Sequence, residues 1–195
     1  MQMDSISHQI TEQERTFAIE HLIRTRDTFL KSIKNVDEKT WYRRPGPGQW
    51  SVAECAEHLM LTEVYYFMPS IQKMLAEGPD PSRMEQVIGK DAIAISSMED
   101  RSYKAVGAPW EETNDREIDK NMLMETFLVK RNEVIQYLLN TKDPLRAVFF
   151  DAPGLGLVDA FQFILYISAH TTRHTGQILD IVNMELHPNT VAVHG

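Results

Sequence analysis

Three histidines carry the chemistry this sequence could do. His170 and His174 stand four residues apart in the stretch ISAHTTRHTGQIL. On a helix that spacing sets two side chains about 40° apart on one face. Phe163, Ile167, Ile178 and Ile181 share that face, so both imidazoles should point into an apolar interior. His58 falls on the same expected face as Cys55, Leu61, Thr62 and Tyr65, and should also look inward. Three neutral imidazoles without a carboxylate would make an open tri-histidine site for a divalent metal ion, with positions left for water or substrate. Zinc leads by ligand type, while nickel and iron also accept imidazole. The plainer use of an inward histidine is a hydrogen-bonded core position, and spacing alone leaves both uses open.

The neighbours narrow the chemistry. Arg173 and Gln177 flank the histidine pair and could orient a substrate or a ligand; their plainer use is an interhelical ion pair and a hydrogen bond. Cys55 lies three residues before His58, but a buried cysteine more often packs as a small apolar residue, so it is left out of the ligand set. Tyr65 is a candidate for the pocket wall. A zinc protease of the H-E-x-x-H type is excluded, because Thr171 follows His170. A di-iron bundle needs Glu-x-x-His motifs, and the residues three before His170 and His174 are Ile167 and Thr171.

Four long segments must position these groups. Ile19, Leu22, Ile23, Leu30 and Ile33 fit one helical face of about 100°, which predicts a helix over 9–35. The segment RRPGPG breaks the chain before Gln49. Ser51 and Glu54 form a capping box that opens a second helix over 51–76, kinked before Pro69. Leu123, Phe127, Val134 and Leu138 make the seam of a third helix over 119–140. After an apolar RAVFF stretch and a DAPGLG turn, a fourth helix is expected over 157–184. Trp41 and Trp50 are expected to anchor the connection between the first two helices.

An all-α four-helix bundle follows. The connection between the second and third helices is more than twice as long as the other two, which permits an up-down-down-up order. The second and fourth helices are then antiparallel. At 1.5 Å per residue, His58 lies about 10 Å from the start of its helix. His174 and His170 lie about 15 and 20 Å from the end of theirs. Antiparallel packing therefore brings all three to nearly one level.

Composition sets the outer limits. The chain has 195 residues, 43% of them hydrophobic and 25% charged, which suits a single globular domain over 1–195. With 20 Lys+Arg against 28 Asp+Glu the formal charge is −8, without the basic block a nucleic-acid binder needs. One cysteine allows no internal disulfide, no apolar run is long enough for a membrane span, and the start has no apolar leader core. A cytoplasmic location is the expectation.

These residues resemble the DinB/YfiT-like superfamily of metal-dependent enzymes. The resemblance rests on Trp50-Ser51-Val52-Ala53-Glu54 running to His58-Leu59, on the Ala152-Pro153-Gly154 turn, and on His170-x-x-Arg173-His174-x-x-Gln177-Ile178. It implies an up-down-down-up bundle, a divalent metal on His58, His170 and His174, and a homodimer. Some members transfer low-molecular-weight thiols such as bacillithiol or mycothiol onto electrophiles, and others are called hydrolases. The expected partner is thus a small-molecule thiol or an electrophilic substrate. The rival reading is a metal-binding, stress-related bundle without turnover.

Overall fold

In a computed structural model of the chain, residues 8–99 and 119–186 are described. Helix α1 spans Glu12–Lys34. Thr11 and Glu14 cap its start reciprocally, and Lys31 and Lys34 lie in its last turn, where cations suit the helix dipole. A short helix α2 follows at Glu38–Tyr42, capped by Asp37. Hydrophobic spacing does not reveal it, because five residues are too few to show a period. It buries Trp41 in the core, with the Lys120 ammonium 4.9 Å from the ring centroid.

Helix α3 spans Val52–Thr62 and begins at the expected Ser51–Glu54 capping box. It runs without a break into a π-helical turn, Glu63–Phe67, and on into α4, Met68–Glu77. The kink expected before Pro69 is therefore a widened turn. Proline offers no N–H to the carbonyl four residues back, and the helix absorbs the defect in a turn with one extra residue. A 3-10 stretch, Pro81–Val87, leads to α5, Asp91–Glu99. Helix α6 spans Lys120–Asn140 behind its N-cap Asp119.

A two-stranded antiparallel hairpin precedes the last helix: β1 is Phe149–Ala152 and β2 is Gly156–Asp159, with Phe149 opposite Asp159. Gly154 and Gly156, at φ of 75° and 68°, make the left-handed turns the hairpin needs. Helix α7, Ala160–Leu186, starts three residues later than expected, because Leu157, Val158 and Asp159 belong to β2. Asp159 ends the strand and caps the helix: its Oδ1 accepts the Gln162 backbone N–H at 2.7 Å.

Contacts along the helices give their directions. Phe29 meets Phe127 and Arg15 meets Leu138 and Thr141, so α1 and α6 are antiparallel. Trp50 meets His174 while Phe67 meets Phe163, so α3–α4 and α7 are antiparallel. Arg146, just before the hairpin, bonds Glu14 and Asp159, and Glu185 pairs with Lys39, so α1 and α7 run the same way. The order is up-down-down-up. The connection between α4 and α6 includes residues 100–118, which lie outside the described part.

The interior is divided. One apolar cluster holds Leu22, Phe67, Ile71, Val134, Leu138, Phe163 and Ile167; the other holds Phe29, Ile33, Trp41, Val52, Leu59, Leu123, Phe127 and Ile178. Between them, on all four long helices, buried polar residues intervene: Thr25 on α1, His58, Thr62 and Glu63 along α3 and the π turn, Arg131 on α6, and His170, Thr171, His174 and Thr175 on α7. The bundle thus has a polar layer across its middle. Among the described residues no helix is long and apolar enough to cross a membrane.

Candidate metal centre

The polar layer brings together the three histidines singled out by spacing. One ring nitrogen from each of His58, His170 and His174 lies within 4.8 Å of the others. The residues are only 4, 7 and 7% exposed. His58 Nε2 and His170 Nε2 are 3.1 Å apart. Two nitrogens bound ~2.0–2.1 Å from one tetrahedral zinc ion would sit roughly 3.3 Å apart, so this separation suits shared ligation as well as an N–H···N bond.

The far sides of the rings differ. His174 Nδ1 is 2.6 Å from Gln177 Oε1. An amide oxygen can only accept, so Nδ1 carries a proton, and in the neutral ring Nε2 is the atom with the lone pair. A carbonyl partner that fixes the tautomer in this way is the usual companion of a ligating histidine. His58 Nδ1 and His170 Nδ1 are buried and have no hydrogen-bond partner among the described residues. Unsatisfied buried polar atoms are unusual in folded proteins, and two of them lie on this cluster. Burial pushes the His58 pKa down to about 4. His170 is also held well below its usual range, first by burial and then by its neighbours His174, His58, Arg131 and Arg173. Both rings are therefore neutral at pH 7, the form that offers a lone pair. The donor set fits a divalent metal ion.

Aromatic rings enclose the cluster. Trp50 lies 5.0 Å from the His58 ring and stacks on His174 at 5.9 Å. Phe67 meets His170 edge-on at 5.7 Å, and Tyr166 stacks on it at 6.0 Å. Trp50, Arg173 and Gln177 are only partly buried, so the cluster approaches solvent on that side. Trp50 is thus a wall of the site as well as part of the loop before α3.

Other expectations meet mixed outcomes. Gln177 joins the cluster, while Arg173 acts on it through charge. Cys55 Sγ lies 3.9 Å from Gln177 Oε1 and is not one of the three converging donors. Glu54 caps α3 and pairs with Arg44, which occupies both of its carboxylate oxygens. Tyr65 does not line the site: it is 63% exposed. The physical reason is the π turn. Its extra residue shifts the inward phase by one, so Glu63 and Phe67 face the interior and Tyr65 turns out. His21 lies on α1, whereas His8 precedes that helix; neither is near the cluster. His187 and His194 lie outside the described residues.

Sequence reasoning missed Arg131 and Glu63. Both side chains are fully buried and paired. The signal was present: on the α6 seam of Leu123, Phe127, Val134 and Leu138, position 131 is the missing member, and an arginine holds it.

Fold and site together define a helical bundle with a candidate three-histidine metal centre. The DinB superfamily matches residues 21–178, and the chain belongs to that family. Among solved structures it is similar to YfiT from Bacillus subtilis, described as "a probable metal-dependent hydrolase with an unusual four-helix bundle topology". The two share 12% identity at a TM-score of 0.60, over 95% of this chain and 93% of that one. At that identity the likeness is one of fold. No curated protein matches the chain.

Proposed function

We propose that the protein is a metal-dependent enzyme that activates a low-molecular-weight thiol, or water, for attack on an electrophile. His58, His170 and His174 would hold the divalent ion, with zinc first and nickel or iron as the other candidates. The observation that carries this reading is the convergence of one ring nitrogen from each of the three histidines within 4.8 Å. When bound, such an ion supplies Lewis acidity and lowers the pKa of a thiol or water to near neutrality.

The remaining work falls to this chain's own residues. Gln177 holds the His174 ring in the tautomer protonated on Nδ1. Arg173 brings a positive charge to the half-exposed side of the site, where it would orient an anionic partner. Trp50 and Tyr166 give apolar walls that limit water. Three uncharged ligands leave the ion's charge undiminished, which favours an anionic nucleophile such as thiolate. The resemblance to thiol-transferring members supports thiol over water. Low exposure of all three rings favours a second reading, a metal-binding bundle without turnover.

The test sets metal-loaded protein against metal-free protein in two assays: thiol addition to monochlorobimane, with several thiols, and cleavage of an ester and amide panel. Faster thiol addition, abolished in His170→Ala, is expected. Ester or amide cleavage alone would move the reading to hydrolase, and neither would favour the non-catalytic role. The homodimer implied by the resemblance is checked by light scattering on the same samples.

A further inference from the structure

Helix α6 contributes no histidine to the cluster, yet its Arg131 reaches every other long helix. Its Nε donates to Glu63 Oε1 at 3.1 Å, and its Nη2 also pairs with Glu63. The same Nη2 donates to Thr171 Oγ1 at 2.7 Å, and Nη1 donates to Thr25 Oγ1 at 3.1 Å and to the Leu22 carbonyl. Its guanidinium carbon lies 5.1 Å from the Phe127 ring centroid. Arg131 and Glu63 are both fully buried, and Glu63 Oε2 has no hydrogen-bond partner among the described residues.

A buried ion pair of this kind is weak evidence for stability, because desolvation offsets most of the attraction. Its best-supported use is to fix register, and two features say what is fixed here. Glu63 opens the π turn, five residues after His58. A π turn is less favourable than an α turn and persists where something holds it. This one aims Glu63 at Arg131 and Phe67 at the edge of His170. Thr171 is the residue after His170, so the bond from Arg131 fixes α7 at the height of that ring.

We propose that Arg131 and Glu63 form a positioning pin that sets the spacing of His58 and His170, so that α6 determines the geometry of the metal centre without ligating. The proposal rests on the metal reading above. Neither residue touches the reacting atoms; both act through the two helices that carry the ligands.

The test uses the volume-conserving pair Arg131→Met with Glu63→Leu, which removes both charges together and avoids stranding one. The double variant is expected to fold without metal at wild-type stability or better. Its zinc affinity, read by competition with a chromophoric chelator, should fall 10–100-fold. A crystal structure of the metal-free variant should show the two Nε2 atoms beyond hydrogen-bond distance. Wild-type zinc affinity with an unchanged separation would overturn the pin. Should the double variant not fold, Thr171→Val decides: an affinity loss of about tenfold, restored in Thr171→Ser, supports the pin, and no loss overturns it. Failure of the metal reading looks different. There, wild-type protein binds no zinc, or His58→Ala binds it as well, while the metal-free structures still judge the pin.

Discussion

Two polar assemblies, one partly buried and one buried, stand at different levels of the bundle, and they are built on opposite principles. Near the start of α7, Arg146 bonds Glu14, Asp91 and Asp159, and its guanidinium lies 4.2 Å from the Phe161 ring centroid. Asp91 and Asp159 also hold Gln162, and its amide donates to the Val87 carbonyl. Every strong donor of that clasp has a partner, and it ties together α1, α5, the hairpin and α7. In the middle layer His58 and His170 are desolvated and held neutral, and their two Nδ1 atoms have no hydrogen-bond partner among the described residues. A satisfied network holds a fold together; an unsatisfied one in the same interior is tolerated where a ligand completes it.

The difference can be broken from the cluster side first. His58→Ala, His170→Ala and His174→Ala should each lose most of about one metal equivalent per chain, read by elemental analysis of untagged protein. His8→Ala and His21→Ala should lose none. Full metal retention in all three cluster variants would remove the site and reduce the contrast to two structural networks.

Acid should sharpen it next. The His58 pKa, about 4 when folded, lies below the usual unfolded value of ~6.5. Between those values the unfolded chain binds the extra proton, so stability rises with pH across that window. Metal-free protein should therefore lose about 3 kcal/mol from this residue as pH falls from ~6.5 to ~4, and His58→Ala should flatten the slope. Urea unfolding at a series of pH values reads it. Metal should leave over the same range, because a protonated imidazole cannot ligate.

Arg146→Met attacks the other assembly. It leaves the nearly buried Asp159 without its cation, at a cost of about 2–3 kcal/mol after allowance for the half-exposed Asp91. Metal content should not change, and a loss of metal here would show that the two levels are coupled. The smallest effect is expected for Gln177→Leu, which frees the His174 tautomer. Metal affinity should fall about tenfold, or about 1.4 kcal/mol, with unfolding of the metal-free protein little altered.

Much of this was legible in the chain. The capping box at Ser51 and Glu54, the α6 seam and the His170–His174 spacing are local features, fixed by side chains three or four residues apart. They were enough for four helices and for the histidine triad. The hairpin at Phe149–Asp159 is not legible in the sequence, because two four-residue strands carry too little pattern beside a 27-residue helix. Tyr65 reads as inward only while the period stays constant, and the π turn there holds one residue more.

What the sequence determined by itself is therefore periodic: which stripe of each helix is buried, where each begins, and which residue types could ligate. Only the tertiary structure decided how the exceptions to those stripes meet. Thr25, Glu63, Arg131 and Thr171 each interrupt an apolar face and, taken singly, read as blemishes. Packing four helices at one register stacks those interruptions into a layer, where an arginine on one helix finds a carboxylate and two hydroxyls on the others. Helix periodicity reaches a few residues along the chain. The bonds from Arg131 to those three side chains span 40 to 106 positions, and in a low-dielectric interior each polar group is tolerable only because the others arrive with it.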